Sequence, residues 1–147
     1  MKSIIIFLIS GFFIFQNQLI SPVSAQEREQ GRAGIAITDI KSNDVIEGKV
    51  SGLNPSQYEM LKVLVYVRTD KWYIHPYQAG GEGKSYAKIN QDGTWKIKTV
   101  KREFPANKVA ALVVDKEYRS PAEAIDIEVV FKKAIAKTIQ DETEERL

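Results

Sequence analysis

Among its 147 residues the chain has no cysteine and a single histidine, His75. The first absence excludes disulfides, a thiolate nucleophile, thiolate metal ligation and lipid attachment through an N-terminal cysteine. Stability must therefore come from packing. The second leaves one residue around which a Ser-His-Asp arrangement would have to form. Its neighbours in Trp72-Tyr73-Ile74-His75-Pro76-Tyr77 are aromatic rather than nucleophilic. A zinc site made from one histidine and carboxylates would be unusual. Neither sign of charge dominates, with 21 basic against 19 acidic side chains, which argues against nucleic acid as the main partner.

Long apolar runs are scarce as well. The longest, residues 4–15, is broken by Ser10 and Gly11 and falls short of the about 20 apolar residues a spanning helix needs. Lys2 precedes it, and Gln16-Asn17-Gln18, Pro22 and Val23-Ser24-Ala25 follow. That layout predicts a signal peptide cut after Ala25, with a retained anchor as the rival reading. Cleavage would take 25 of the 147 residues and leave 122, enough for one domain and too few for two ordinary ones. The expected location is periplasmic or secreted, without a stable membrane anchor.

Beyond a polar leader at 26–34, short apolar runs recur at strand length between turn residues. Strands are expected at 34–40, 45–53, 61–69, 72–77, 85–90, 94–100 and 109–114. Asn54-Pro55-Ser56 ends the second. The third alternates Val63, Val65 and Val67 with Leu64 and Tyr66, so both faces look covered and it is expected to be central. The run at 109–114 reads the same way. Asp92-Gly93 between alternating arms is a hairpin signal, with Trp95 and Ile97 inward and Lys96 and Lys98 outward. The fold class expected over 35–119 is mostly β: an immunoglobulin-like or transthyretin-like β-sandwich.

Residues 120–147 change period. Ser120-Pro121-Ala122-Glu123 fits a capping box with proline at the first helical position. Ile127, Phe131, Ala134, Ile135, Thr138 and Ile139 share one helical face. These features predict a C-terminal amphipathic helix over 121–140, followed by a fraying acidic tail. The β-branched residues at 125–131 keep a last strand open as the alternative.

Catalytic constellations are weak. Gly80-Gly81-Glu82-Gly83-Lys84-Ser85 has Gln78 where a phosphate-binding loop needs its first glycine, and a strand pattern follows instead of a helix. No carboxylate sits inside an apolar run as a buried general acid would. No cofactor, no metal and no enzymatic activity are expected. The basic stripe Lys96, Lys98, Lys101 and Arg102 reads as a solvated face.

Aromatic side chains are the most informative set. Trp72, Tyr73, Tyr77, Tyr86 and Trp95 fall on segments expected to be neighbours. Flat rings stack on sugars or anchor protein interfaces, while Trp95 shares a face with Ile97 and reads as core. Trp72, Tyr73, His75, Tyr77 and Tyr86 are the expected ligand-binding residues, and Trp72→Ala is expected to abolish binding.

Gly48-Lys49-Val50-Ser51-Gly52-Leu53, Val63-Leu64-Val65-Tyr66-Val67, Lys71-Trp72-Tyr73-Ile74-His75-Pro76 and Asn90-Gln91-Asp92-Gly93-Thr94-Trp95 together span residues 45–115. They resemble a small immunoglobulin-like or fibronectin-like sandwich module of bacterial secreted proteins, found beside carbohydrate-active domains. The resemblance implies a fold and no particular ligand residues, and the C-terminal helix is foreign to it. The expected function is an exported non-catalytic binding module for extracellular carbohydrate. The alternative is a protein-interaction or structural module that uses the C-terminal helix, in which deletion of 121–147 would leave the β domain folded.

Overall fold

The computed structural model describes residues 31–41, 45–76, 85–98 and 106–141. The expected signal peptide, the turn at 42–44, Tyr77, the glycine-rich loop, Lys101, Arg102 and the acidic tail lie outside the described residues. Eight strands occur among those described: β1 (Gly34–Lys41), β2 (Val45–Ser51), β3 (Leu61–Arg68), β4 (Trp72–His75), β5 (Thr94–Lys98), β6 (Lys108–Asp115), β7 (Glu123–Ala124) and β8 (Ala136–Asp141). A 3-10 helix at Pro55–Met60 and a single helical turn, α1 (Glu128–Phe131), complete the set.

The strands form two antiparallel sheets, one ordered β1-β2-β5 and the other β7-β4-β3-β6-β8. Alternation of side chains along each strand decides what lies between them. Ile35, Ile46, Val50, Trp95 and Ile97 of the smaller sheet share one core with Val63, Val65, Val67, Val109, Ala111 and Val113 of the larger. The intervening residues Leu64, Tyr66, Ala110, Leu112 and Val114 point the other way. They form a second core with Trp72, Ile74, Ile127, Val130 and Phe131. β3 and β6 are thus covered on both faces, which is why their sequences are continuous apolar runs.

Local features follow from particular residues. In β1 the register with β2 slips by one residue between Ile37 and Asp39, so Thr38 is extra and Ile40 returns to the face of Ile35. A strict alternation would have sent Ile40 outward. Gly48 lies opposite Trp95, and a Cβ there would come within 2.5 Å of the indole and 2.0 Å of the Ala36 carbonyl oxygen. The ring packs over bare backbone because glycine stands beneath it. At the hairpin, Gly93 has φ of 80°, and its carbonyl accepts from the Val50 amide at 2.8 Å, docking the turn on β2.

β2 stops at Ser51, two residues short of the expected 53, where Gly52 has φ of 69°, and Asn54-Pro55-Ser56 starts the 3-10 helix. Asn54 and Gln57 form a reciprocal capping box there, Asn54 Oδ1 accepting from the Ser56 amide at 3.0 Å and Gln57 Oε1 from the Asn54 amide at 3.2 Å.

The C-terminal helix expected over 121–140 is overturned. Only Glu128–Phe131 is helical. Glu123 and Ala124 pair with β4, and Ala136–Asp141 pairs along β6. The apolar stripe is divided: Ile127, Phe131 and Ala134 pack on the outer core, while Ile135 and Ile139 remain partly solvent-facing. The physical reason is the edge of β6. That strand is buried on both faces, so its outward amides and carbonyls need partners, and the β-branched 135–139 segment supplies them. A helix would satisfy only its own backbone. Tyr118, Ile127, Val130, Phe131 and Ala134 pack on the outer face of the larger sheet, so this region is part of the packed unit rather than an appendage.

Candidate functional site

The expected aromatic patch is divided between the two faces of β4. Trp72 is only 5% exposed and belongs to the outer core. Tyr73, on the opposite face, is half-buried against the inner core, with the Lys71 ammonium 5.4 Å from its ring centroid. His75 is buried on β4. Tyr86 is half-buried against the outer core on the Trp72 side. Tyr77 lies outside the described residues. Trp72, Tyr73, His75 and Tyr86 therefore do not make one stacking surface, and Tyr86 lines a cleft.

That cleft opens on the outer side of the larger sheet, has a volume of about 490 Å³, and is lined by Lys62, Tyr86, Lys116, Glu117, Tyr118, Arg119 and Ser120. Its volume falls in the roughly 300–1,000 Å³ range of small-molecule sites. Three elements build it. Lys62 stands near the start of β3, in register with Val114 of β6, and on the same face as Leu64 and Tyr66. Tyr86 is placed by the residue after it: Ala87 exchanges two backbone hydrogen bonds with Val63, at 2.8 and 2.9 Å. That bridge fixes Tyr86 beside β3 although residues 85–90 form no continuous strand.

The third element is the loop that leaves β6. The Lys116 amide donates to the Met60 carbonyl at 2.9 Å, and the Glu117 amide to Asp115 Oδ1 at 2.8 Å. The Tyr118 amide donates to the Asp115 carbonyl at 3.1 Å. At the far end the Tyr66 hydroxyl donates to the Pro121 carbonyl at 2.6 Å. The loop is held at both ends, and the side chains of 116–120 meet Lys62 and Tyr86 between them.

Lys62 is the singular group of the site. The residue is 7% exposed, in a strand whose next five residues are all apolar. Among the described residues its ammonium makes no ion pair or hydrogen bond, and its polar contact is the Tyr86 ring, 5.5 Å from Nζ to centroid. Burial pushes the Lys62 ammonium below its ordinary value, and Glu117 and Asp115 offset this in part. Three cationic side chains line the cleft against one carboxylate.

Sequence reading missed Lys62, Lys116, Tyr118 and Arg119. A signal for the first was present. A charge inside an apolar run marks a buried or half-buried ionisable residue, and Leu61-Lys62-Val63-Leu64 contains one. Nothing in the sequence marks 116–119, because these residues gain meaning only from the strand they overhang. Among the described residues no three His, Asp or Glu side chains gather as a metal site, and no helix is long and apolar enough to cross a membrane. No protein-family model matches the chain, and no curated protein or solved structure matches it.

Proposed function

We propose that this is an exported, non-catalytic binding module, built as a β-sandwich of immunoglobulin-like or transthyretin-like type, that takes extracellular carbohydrate. The observation that carries the reading is the cleft, where two tyrosine rings, Tyr86 and Tyr118, stand beside the donors of Lys62, Lys116, Arg119 and Ser120. Ring faces for the apolar side of a sugar and donors for its hydroxyls are what such a ligand requires. The site thus moves from the expected aromatic set of Trp72, Tyr73, His75, Tyr77 and Tyr86 to the outer cleft, with Tyr86 common to both.

The test uses the full chain recovered after export, with its N-terminus determined by mass; a mature protein starting at Gln26 is expected. A panel of soluble polysaccharides and their oligosaccharides is titrated by calorimetry and NMR. Saturable binding should perturb the Tyr86 and Tyr118 rings, and Tyr86→Ala should weaken it by roughly tenfold, as loss of one stacked ring implies. Tryptophan fluorescence is the wrong reporter, since Trp72 and Trp95 are 5% and 1% exposed. For the same reason Trp72→Ala reads folding, with an expected cost of about 3–5 kcal/mol. No glycan acting on a folded protein would sink the carbohydrate reading.

A second reading has one observation behind it. Ile125 is 91% exposed and Val129 is 60% exposed on the outer layer. An interaction module pairing with its own copy there would lose solution mass in the Ile125→Ser, Val129→Ser double variant.

A further inference from the structure

A lysine in the strongest strand of a small β protein needs a reason. Lys62 interrupts the outer-facing series that Leu64 and Tyr66 continue, and its 7% exposure leaves most of the side chain out of water. Its ammonium is not used to hold the fold, since no carboxylate of the described residues pairs with it, whereas Lys41, Lys71, Lys96, Lys108 and Lys137 all have carboxylate partners. Its ammonium reaches the cleft rather than being sealed in, and partial desolvation there without a bound anion costs free energy. The depressed affinity of Lys62 for its proton is the same cost seen from the other side.

The surroundings point the same way. Lys116 and Arg119 line the same cleft and make no ion pair among the described residues, and the one acid lining it, Glu117, does not balance three cations. The Tyr86 ring lies 5.5 Å from Nζ and screens the ammonium from one side without neutralising it. Arg119 adds a planar fork, the geometry that grips two oxygens of one anionic group.

We infer that the cleft binds an anionic oxygen group of the ligand, a carboxylate or a sulfate ester, with Lys62 as the cation that selects it. Resting on the binding-module reading above, the ligand class narrows to acidic glycans. The anion completes the charge balance that the fold leaves open, and Tyr86 and Tyr118 hold the ring that bears it.

The decisive experiment compares matched ligands on the full exported chain. The probes are a galacturonate oligomer, the same oligomer with its carboxyl groups reduced to alcohols, a sulfated galactan oligosaccharide, and inorganic sulfate. The readouts are calorimetry and the NMR shifts of the Lys62 side chain. An acidic oligomer should bind about tenfold or more tighter than the reduced one, which is the size of one good charge-assisted contact. Lys62→Met, which keeps the buried stem, should erase that preference while the melting temperature stays at or above wild type. Arg119→Gln, at an exposed position, should weaken the preference too and serves if Lys62→Met fails to fold. Which acidic oligomer wins separates carboxylate from sulfate.

Equal affinity for the acidic and reduced oligomers would overturn the inference and leave the carbohydrate module standing. Failure of every glycan, with Lys62-dependent binding of inorganic sulfate, would overturn the carbohydrate module and with it the acidic-glycan class. An unmoved Lys62 resonance with all anions overturns it outright.

Discussion

The hydroxyl of Tyr66 donates a 2.6 Å hydrogen bond to the carbonyl oxygen of Pro121, 55 residues further along the chain. This contact joins the central strand of the larger sheet to the segment that roofs the cleft. Tyr66 is fully buried, and Ser120, which lines the cleft, lies beside its hydroxyl. One buried phenol therefore connects the stability of the outer core with the shape of the site.

Tyr66→Phe leaves the Pro121 carbonyl without that donor and should cost about 1–2 kcal/mol, the range for an unsatisfied buried acceptor. Chemical denaturation with an unchanged m-value measures it. A loss below about 0.5 kcal/mol would mean that water replaces the hydroxyl and that the loop end is not held by this bond.

The same tyrosine shapes the alkaline limit of stability. Burial pushes the Tyr66 phenol well above its ordinary value, with the Ser120 hydroxyl opposing in part. In the unfolded chain the phenol ionises near pH 10 while the folded form stays neutral, so above that pH the unfolded state binds fewer protons. Stability is fully present below about pH 10 and falls by about 1.4 kcal/mol per pH unit above it from this group. The gap between wild type and Tyr66→Phe should narrow at that rate as pH rises. Parallel curves would show that Tyr66 ionises normally.

Gly48→Ala should destabilise by about 1–3 kcal/mol, the cost of overpacking a filled site. The added carbon would meet the Ala36 carbonyl at 2.0 Å and the Trp95 ring at 2.5 and 2.7 Å, and backbone on one side leaves little room to yield. Trp95 fluorescence reports the displacement directly. Gly31→Ala, which meets nothing within 4 Å, is the neutral control.

Truncation after Ser120 should abolish cooperative unfolding. It removes β7, α1 and β8, strips Ile127, Val130 and Phe131 from Leu64, Tyr66 and Leu112, and opens the edge of β6. Calorimetry of the truncated chain checks this. A sharp transition near that of the full chain would show that residues 35–119 fold alone.

Much of the architecture was legible because strand signals are local. Val63, Val65 and Val67 against Leu64 and Tyr66, the apolar run of β6, and Asp92-Gly93 between Asn90 and Thr94 each carry their structure within a few residues. The slip at Thr38 was not legible, since a bulge depends on the register of a partner strand. The C-terminal segment misled because its apolar spacing fits a helix as well as a strand. What separates the two is whether a distant strand offers an open edge.

For this protein the residues by themselves settled that the chain is mostly β, that β3 and β6 are buried on both faces, and that Trp95 and Ile97 face inward. Period-two patterning and turn chemistry act over neighbours, so one strand's residues suffice. Only the tertiary structure decided that 136–141 is a strand, that Trp72 is core, and that Lys62 meets Tyr86, Tyr118 and Arg119 at one cleft. Each of these depends on which segments come together across long stretches of chain. Burial of Trp72 needs the layer at 127–131 above it, and Lys62 comes to line a cleft only because the loop at 116–120 meets β3 there.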